Sequence, residues 1–128
     1  MIAWRSSENR STVSVRSSGL PVEARVTRWP GSATPTEQAL RLLLEGEGLQ
    51  PYSWANGPLD RYEPHSHDYD KVIYVVRGAI TFGLPQSGRS LELKAGDRLD
   101  LPSGTVHDAL VGGQGVVCLE AHSPVRRA

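Results

Sequence analysis

Three of the four histidines in this chain are spaced as a metal site requires. His65-Ser66-His67 is a His-x-His pair ahead of a β-prone run, and His107 follows the turn Pro102-Ser103-Gly104-Thr105. In extended backbone, residues two apart project to the same face, so His65 and His67 can present two imidazoles to one ion. His107, about 40 residues on, supplies a third if the intervening strands lay the two segments side by side. Neutral imidazoles suit Fe(II), Zn, Ni or Cu, and three of them leave open positions for water or substrate. His-x-His pairs on loops are also commonly solvated and unligated, and spacing alone leaves both readings open.

The elements that must carry these side chains are short and β-prone. From residue 51 onward, runs at 52–55, 71–77, 79–84, 90–93, 98–101, 107–111 and 116–122 are separated by turn residues, the pattern of a sandwich or closed barrel. Gly78 sits between two of the runs, and Ser87-Gly88 reads as a hairpin tip. Thirteen glycines and nine prolines spread along the chain agree with many turns. Upstream, residues 22–29 alternate apolar and polar with period two, as an edge strand does, and Pro30-Gly31 ends the run.

Residues 36–45 are good helix formers with Thr34 or Thr36 as N-cap and Gly46 and Gly48 as stops. Leu40, Leu43 and Leu44 share a helix face that must be buried, against the barrel or against a second copy in a homodimer. Residues 1–19 hold Arg5, Arg10 and Arg16 among many serines, with too few apolar residues to offset the entropy of ordering them. They read as a disordered tail; a transit segment or a start codon assigned too far upstream gives the same composition. The expected division is therefore a tail over 1–19, a strand and helix over 20–50, and a barrel over 51–128.

Bulk composition narrows the partners. Acidic and basic residues number 14 each, so no global field draws the chain to nucleic acid or an anionic membrane. No apolar run approaches the ~20 residues that span a bilayer. Cys118 is the single cysteine, which excludes an intramolecular disulfide and a Cys-rich zinc site and fits a reducing compartment. The expectation is a cytoplasmic protein with a small-molecule partner.

The histidines also stand within a longer pattern that resembles the cupin superfamily. Its first motif reads Gly, five residues, His-x-His, three or four residues, Glu, six residues, Gly; His65, His67 and Gly78 fall in place, with Lys71 where the Glu belongs. Leu59 occupies the first glycine position, with Gly57 nearby. The second motif reads Gly, five residues, Pro-x-Gly, two residues, His, three residues, Asn, and Gly96, Pro102, Gly104 and His107 match it in register, with Val111 in place of Asn. The motifs cover residues 57–111 and the surrounding strand pattern 51–122. The resemblance implies an all-β, cupin-type double-stranded β-helix (jelly-roll) barrel with one short N-terminal helix. It also implies a divalent metal, whether Fe, Zn, Ni, Mn or Cu, on His65, His67 and His107. The family's fourth ligand, a glutamate, does not carry over.

Lys71 then decides the electrostatics. If extended geometry continues from His65, odd positions share a face and Lys71 points inward with the imidazoles. An ammonium about 4 Å from a divalent ion is repelled by roughly 8 kcal/mol at an effective dielectric near 20. It must swing to solvent, pair with a carboxylate or lose its proton, or else the metal is absent. Glu120, alone in the apolar run Val116-Val117-Cys118-Leu119-Glu120-Ala121, is the candidate partner or substitute ligand if it faces the interior. Asp68 and Asp70 have the opposite strand parity to the histidines. Tyr52, Trp54, Tyr62, Tyr74 and Phe82 either line a pocket or fill core.

Two functions follow from the resemblance. One is a metal-dependent enzyme acting on a small molecule, of dioxygenase type; the other is a non-catalytic cupin that binds or senses a small ligand, with or without metal. The residues assign no catalytic acid, base or nucleophile, and no nucleotide, phosphate or nucleic-acid motif is present.

Overall fold

Turn residues cut the chain into extended runs, and the computed structural model, which describes residues 23–124, joins those runs into one antiparallel sheet curled into a barrel. The stretch expected as a tail, residues 1–19, lies outside the described residues. In chain order the elements are β1 (Arg25–Thr27), α1 (Glu37–Gly46), β2 (Tyr52–Asn56), β3 (Arg61–His65), β4 (Tyr69–Leu84), β5 (Arg89–Lys94), β6 (Arg98–Leu101) and β7 (His107–Pro124). Neighbours run β1-β6-β4-β7-β2, with β3 also paired to β7 and β5 to β4. The all-β jelly roll, with one short helix among the described residues, is thus the observed architecture.

Two of its strands are longer than the sequence pattern implies. The runs 71–77 and 79–84 are one strand, β4, and the runs 107–111 and 116–122 are one strand, β7. Their pairing shifts register between Val75 and Arg77 and again between Gly78 and Ile80. A bulge adds a residue and so exchanges the two faces of the strand. On β4 the interior side chains are Ile73 and Val75 before the shift and Ile80, Phe82 and Leu84 after it. On β7 they are Ala109 and Val111, then Val116 and Cys118. The crossing is tight: Gly78 has φ +82°, and a Cβ there would lie 2.1 Å from the Gly115 carbonyl oxygen. Only glycine meets both demands. The exchange lets odd-numbered His107 and even-numbered Glu120 face the same interior.

The other face of β4 is also apolar, and the helix covers it. Thr36 caps α1, its Oγ1 accepting from the Ala39 N–H at 3.1 Å. Leu40 and Leu44, both 0% exposed, pack on Val72, Tyr74 and Val76 of β4 and on Leu119 and Ala121 of β7, outside the barrel. Leu43, expected on the same buried face, is 44% exposed. A helix lying on the outside of a curved sheet buries a stripe narrower than its apolar surface, and partly buried Leu49 and Trp29 complete that cluster instead. Thr36→Ala is expected to cost about 1 kcal/mol, read as a lower urea midpoint with unchanged slope.

Three local differences concern the strand ends. β1 pairs only over Arg25–Thr27, shorter than the 22–29 run, and lies at the sheet edge as expected. β3 forms where no strand was anticipated, its residues exposed and Pro64 within it, which an edge position tolerates. The loop 85–88, capped by the Gly88 N–H on the Leu84 carbonyl, forms the hairpin read from Ser87-Gly88.

Candidate metal centre and ligand pocket

The two histidine segments meet because β3 and β7 pair, with His65 and His107 as cross-strand partners. His67 lies in the corner between β3 and β4, where its carbonyl accepts from the Gly104 N–H at 2.7 Å. One residue earlier, the Ser103 N–H donates to the Asp70 carboxylate at 2.9 Å. The Pro-x-Gly turn is thereby stitched to the His-x-His corner. Ring centroids stand 4.4 Å apart for His65 and His107, 4.8 Å for His65 and His67, and 5.3 Å for His67 and His107.

Hydrogen bonds fix which nitrogen of each ring is available. His65 Nδ1 faces the Glu63 carbonyl at 2.7 Å and His107 Nδ1 faces the Thr105 carbonyl at 2.9 Å. A carbonyl only accepts, so each Nδ1 carries the proton and each Nε2 keeps its lone pair. His107 is 2% exposed. Burial first, then nearby His65 and Lys71, hold its pKa down to about 4 despite the opposing hydrogen bond to Thr105. His67 is lowered as well, by burial and then by Lys71 and His65. Neutral rings are the ligand form.

One ligand nitrogen from each histidine can be chosen so that all lie within 4.8 Å of one another. Metal–imidazole bonds of about 2.0–2.1 Å place two nitrogens on one ion no more than about 4.2 Å apart. Small ring rotations close that gap, so the three imidazoles fit a divalent metal in their chemistry, tautomer and spacing.

Lys71 occupies the ground the family glutamate would hold. Its ammonium donates to His67 Nε2 at 3.2 Å and stands 3.5 Å from Glu120 Oε2. Both side chains are deeply placed, 11% exposed for Lys71 and 6% for Glu120. Glu120 also accepts from Tyr52 Oη at 2.6 Å, Trp54 Nε1 at 2.9 Å and His122 Nε2 at 2.6 Å. Burial opposes its charge, but Tyr52, Lys71, His122 and Trp54 together outweigh burial and leave its pKa below the usual carboxylate value. Glu120 therefore faces inward and pairs with Lys71.

Beneath the histidines lies a cavity of about 260 Å³ walled by Tyr52, Trp54, Tyr62, Ile73, Ile80, Phe82 and Ala109, with His65, His107, Lys71 and Glu120 at its polar end. Tyr74, by contrast, packs outside the barrel. Asp68 is exposed, and neither it nor Asp70 lines the cavity. Asp97 accepts from the Lys94 N–H in its turn, as its position after Gly96 implies.

Two members of the site carried no sequence expectation. His122 hydrogen-bonds Glu120, and Tyr69 stacks on both His67 and His122, with centroids 4.9 and 4.1 Å away. Strand parity held the signal: 118, 120 and 122 share a face of β7, and 69 and 71 share a face of β4.

No family model and no curated protein matches the chain. Solved structures do. An RmlC-like cupin from Shewanella frigidimarina is 25% identical with a TM-score of 0.52, over 62% of this chain and 68% of that one. The polyketide cyclase RemF from Streptomyces resistomycificus is 28% identical with a TM-score of 0.52, over 62% of this chain. That match spans 60% of the cyclase's length. The chain is a small cupin. A DUF861 family protein from Thermotoga maritima shares the fold of this cupin over 79% of the chain and 100% of its own length, at 16% identity and a TM-score of 0.53. No helix among the described residues of this cupin is long and apolar enough to cross a membrane.

Proposed function

We propose that this cupin holds a divalent metal on His65, His67 and His107 and acts as a metal-dependent enzyme on a small molecule seated in the adjoining cavity. The observation that carries the reading is the pair of Nδ1–H bonds to the Glu63 and Thr105 carbonyls, which leave the Nε2 lone pairs of His65 and His107 open beside His67. A bound ion of this kind, whether Fe, Zn, Ni, Mn or Cu, supplies a Lewis acid with open positions, suited to polarising a substrate oxygen or, for iron, to dioxygen chemistry.

The protein's own contribution is orientation. Trp54, Phe82, Ile73 and Ile80 wall the cavity with apolar surface, while its polar groups converge at one end, which orders a ligand that is apolar at one side and oxygenated at the other. Glu120 Oε2 lies 2.6 Å from both Tyr52 Oη and His122 Nε2, so a proton can pass along this line between the cavity and exposed His122. The likeness to a polyketide cyclase supports a small organic substrate.

The contact between Lys71 and His67 favours a second reading, a non-catalytic cupin that binds or senses a small ligand with the lysine in place of metal. Elemental analysis of protein purified without chelators separates the two. The enzyme reading expects about one divalent metal per chain. Absence of stoichiometric metal, both as purified and after incubation with Fe(II), Zn(II), Ni(II), Mn(II) and Cu(II), overturns it.

A further inference from the structure

Lys71 is the polar group of the cavity whose hydrogen-bonding capacity is least used. An ammonium carries three N–H donors. Among the described residues it has one acceptor at hydrogen-bond distance, His67 Nε2 at 3.2 Å, and a longer contact to Glu120 at 3.5 Å. Glu120 is already shared among other donors, with Tyr52 and His122 on Oε2 and Trp54 on Oε1. A metal on His67 would take the Nε2 lone pair and leave Lys71 with the 3.5 Å contact alone.

Position 71 also sets the charge of the site. A glutamate there would leave two carboxylates, with Glu120, beside three neutral imidazoles; lysine is two units more positive and offsets the Glu120 charge, so the cavity's polar groups do not repel an anion as a carboxylate pair would. The remaining wall is largely apolar and aromatic, with Tyr52, Trp54, Tyr62, Phe82, Ile73 and Ile80 around about 260 Å³, just below the usual range for ligand pockets. That volume suits a ligand of one ring, or two small ones.

We propose that Lys71 is an anion anchor and that the cavity takes a small planar acid, its ring against the aromatic wall and its anionic oxygen held by the Lys71 ammonium beside the three histidines. The inference rests on the ligand-binding part of the function proposed above and names the class of molecule. Glu120 is then a positioning residue, keeping the ammonium at the cavity's polar end instead of letting it reach solvent. A charged donor facing an anion discriminates against a neutral isostere.

Benzoate and its neutral counterpart benzamide are the probes, with 4-nitrophenolate as a phenolate arm, titrated by calorimetry and by tryptophan fluorescence into the full chain. Each titration is run metal-free and Zn(II)-loaded, with zinc binding measured separately. The expected result is that one of the two anions binds at least about tenfold tighter than benzamide, and that Lys71→Met lowers anion affinity about tenfold while leaving benzamide unchanged. The tighter anion then tells a carboxylate ligand from a phenolate one. Lys71→Arg is expected to retain most of the preference. Lys71→Met/Glu120→Gln, which removes both charges together, serves as the test if Lys71→Met alone folds poorly.

Anion affinities that are the same with and without Lys71, in both metal-free and loaded protein, overturn the inference and leave the metal reading untouched. A Lys71-dependent preference in protein that binds no zinc has the reverse meaning: the anion anchor stands and the metal reading falls.

Discussion

Alanine in place of His107 is expected to weaken divalent-metal binding by about a hundredfold or more, since loss of a mere supporting partner of a ligand already costs about 10–100-fold. The ring is 2% exposed and locked by its Nδ1–H to Thr105, so nothing rotates in to replace it. Two ligands then remain, His65 and His67, and the second of these already accepts from Lys71. Zinc titration against a chromophoric chelator measures the change, with circular dichroism confirming that the barrel survives. Unchanged zinc affinity in a folded His107→Ala variant would mean that the metal sits elsewhere.

Glu120→Ala is expected to destabilise the protein by about 3–5 kcal/mol, the usual cost of removing one partner from a buried ion pair. Lys71 would lose its carboxylate while 11% exposed, and Tyr52, Trp54 and His122 would lose a shared acceptor. Urea denaturation of metal-free protein gives the number; a loss under 1 kcal/mol would place the carboxylate outside the network. Acid supplies an independent sign. Because the folded pKa of Glu120 is lower than its ordinary value of 4.5, the unfolded chain takes up this proton first as the pH falls. Its contribution is therefore complete above the ordinary value and lost as the pH falls through the lower folded one. Glu120→Gln removes that component, so its stability should fall less steeply than wild type below pH 4.5.

These two residues also mark how much of the site can be read before folding. His65, His67 and His107 were accessible because each lies in a short pattern with its own turn residues, and cross-strand pairing of positions 65 and 107 then brings the patterns together. Glu120 was accessible as an anomaly, one charge in an apolar run. Its partners Tyr52, Trp54 and His122 were not, because they depend on the register of β2 against β7, where Tyr52 faces Glu120 and Trp54 faces Cys118. Register is set by pairing partners distant in the chain and is invisible to local alternation.

The fold divides in the same way. Helix α1 was legible from its cap and its stops, yet Leu43 was assigned to the wrong surface because the width of the buried stripe depends on what the helix lies upon. Gly78 reads locally as a break between strands. In the barrel it is instead a bulge inside one strand, required by the close approach of the Gly115 carbonyl. That bulge places Ile73 and Ile80 in the same cavity wall, and without it the odd and even halves of β4 would face opposite sides.

Lys71 links the chemistry to the architecture. Placed inward by the parity of β4, it is held between a neutral imidazole and the Glu120 carboxylate, and it competes with a metal for His67 unless its ammonium turns toward that carboxylate or toward a bound acid. The three-histidine centre is compatible with that lysine only if one of those partners takes up its charge. The most direct test is anomalous diffraction from crystals of the full chain loaded with zinc. The account predicts a single strong site about 2.0–2.1 Å from one nitrogen of each of His65, His67 and His107, with the Lys71 ammonium withdrawn from His67. A fully soaked crystal in which Lys71 still donates to His67 and no metal touches the three rings would contradict it.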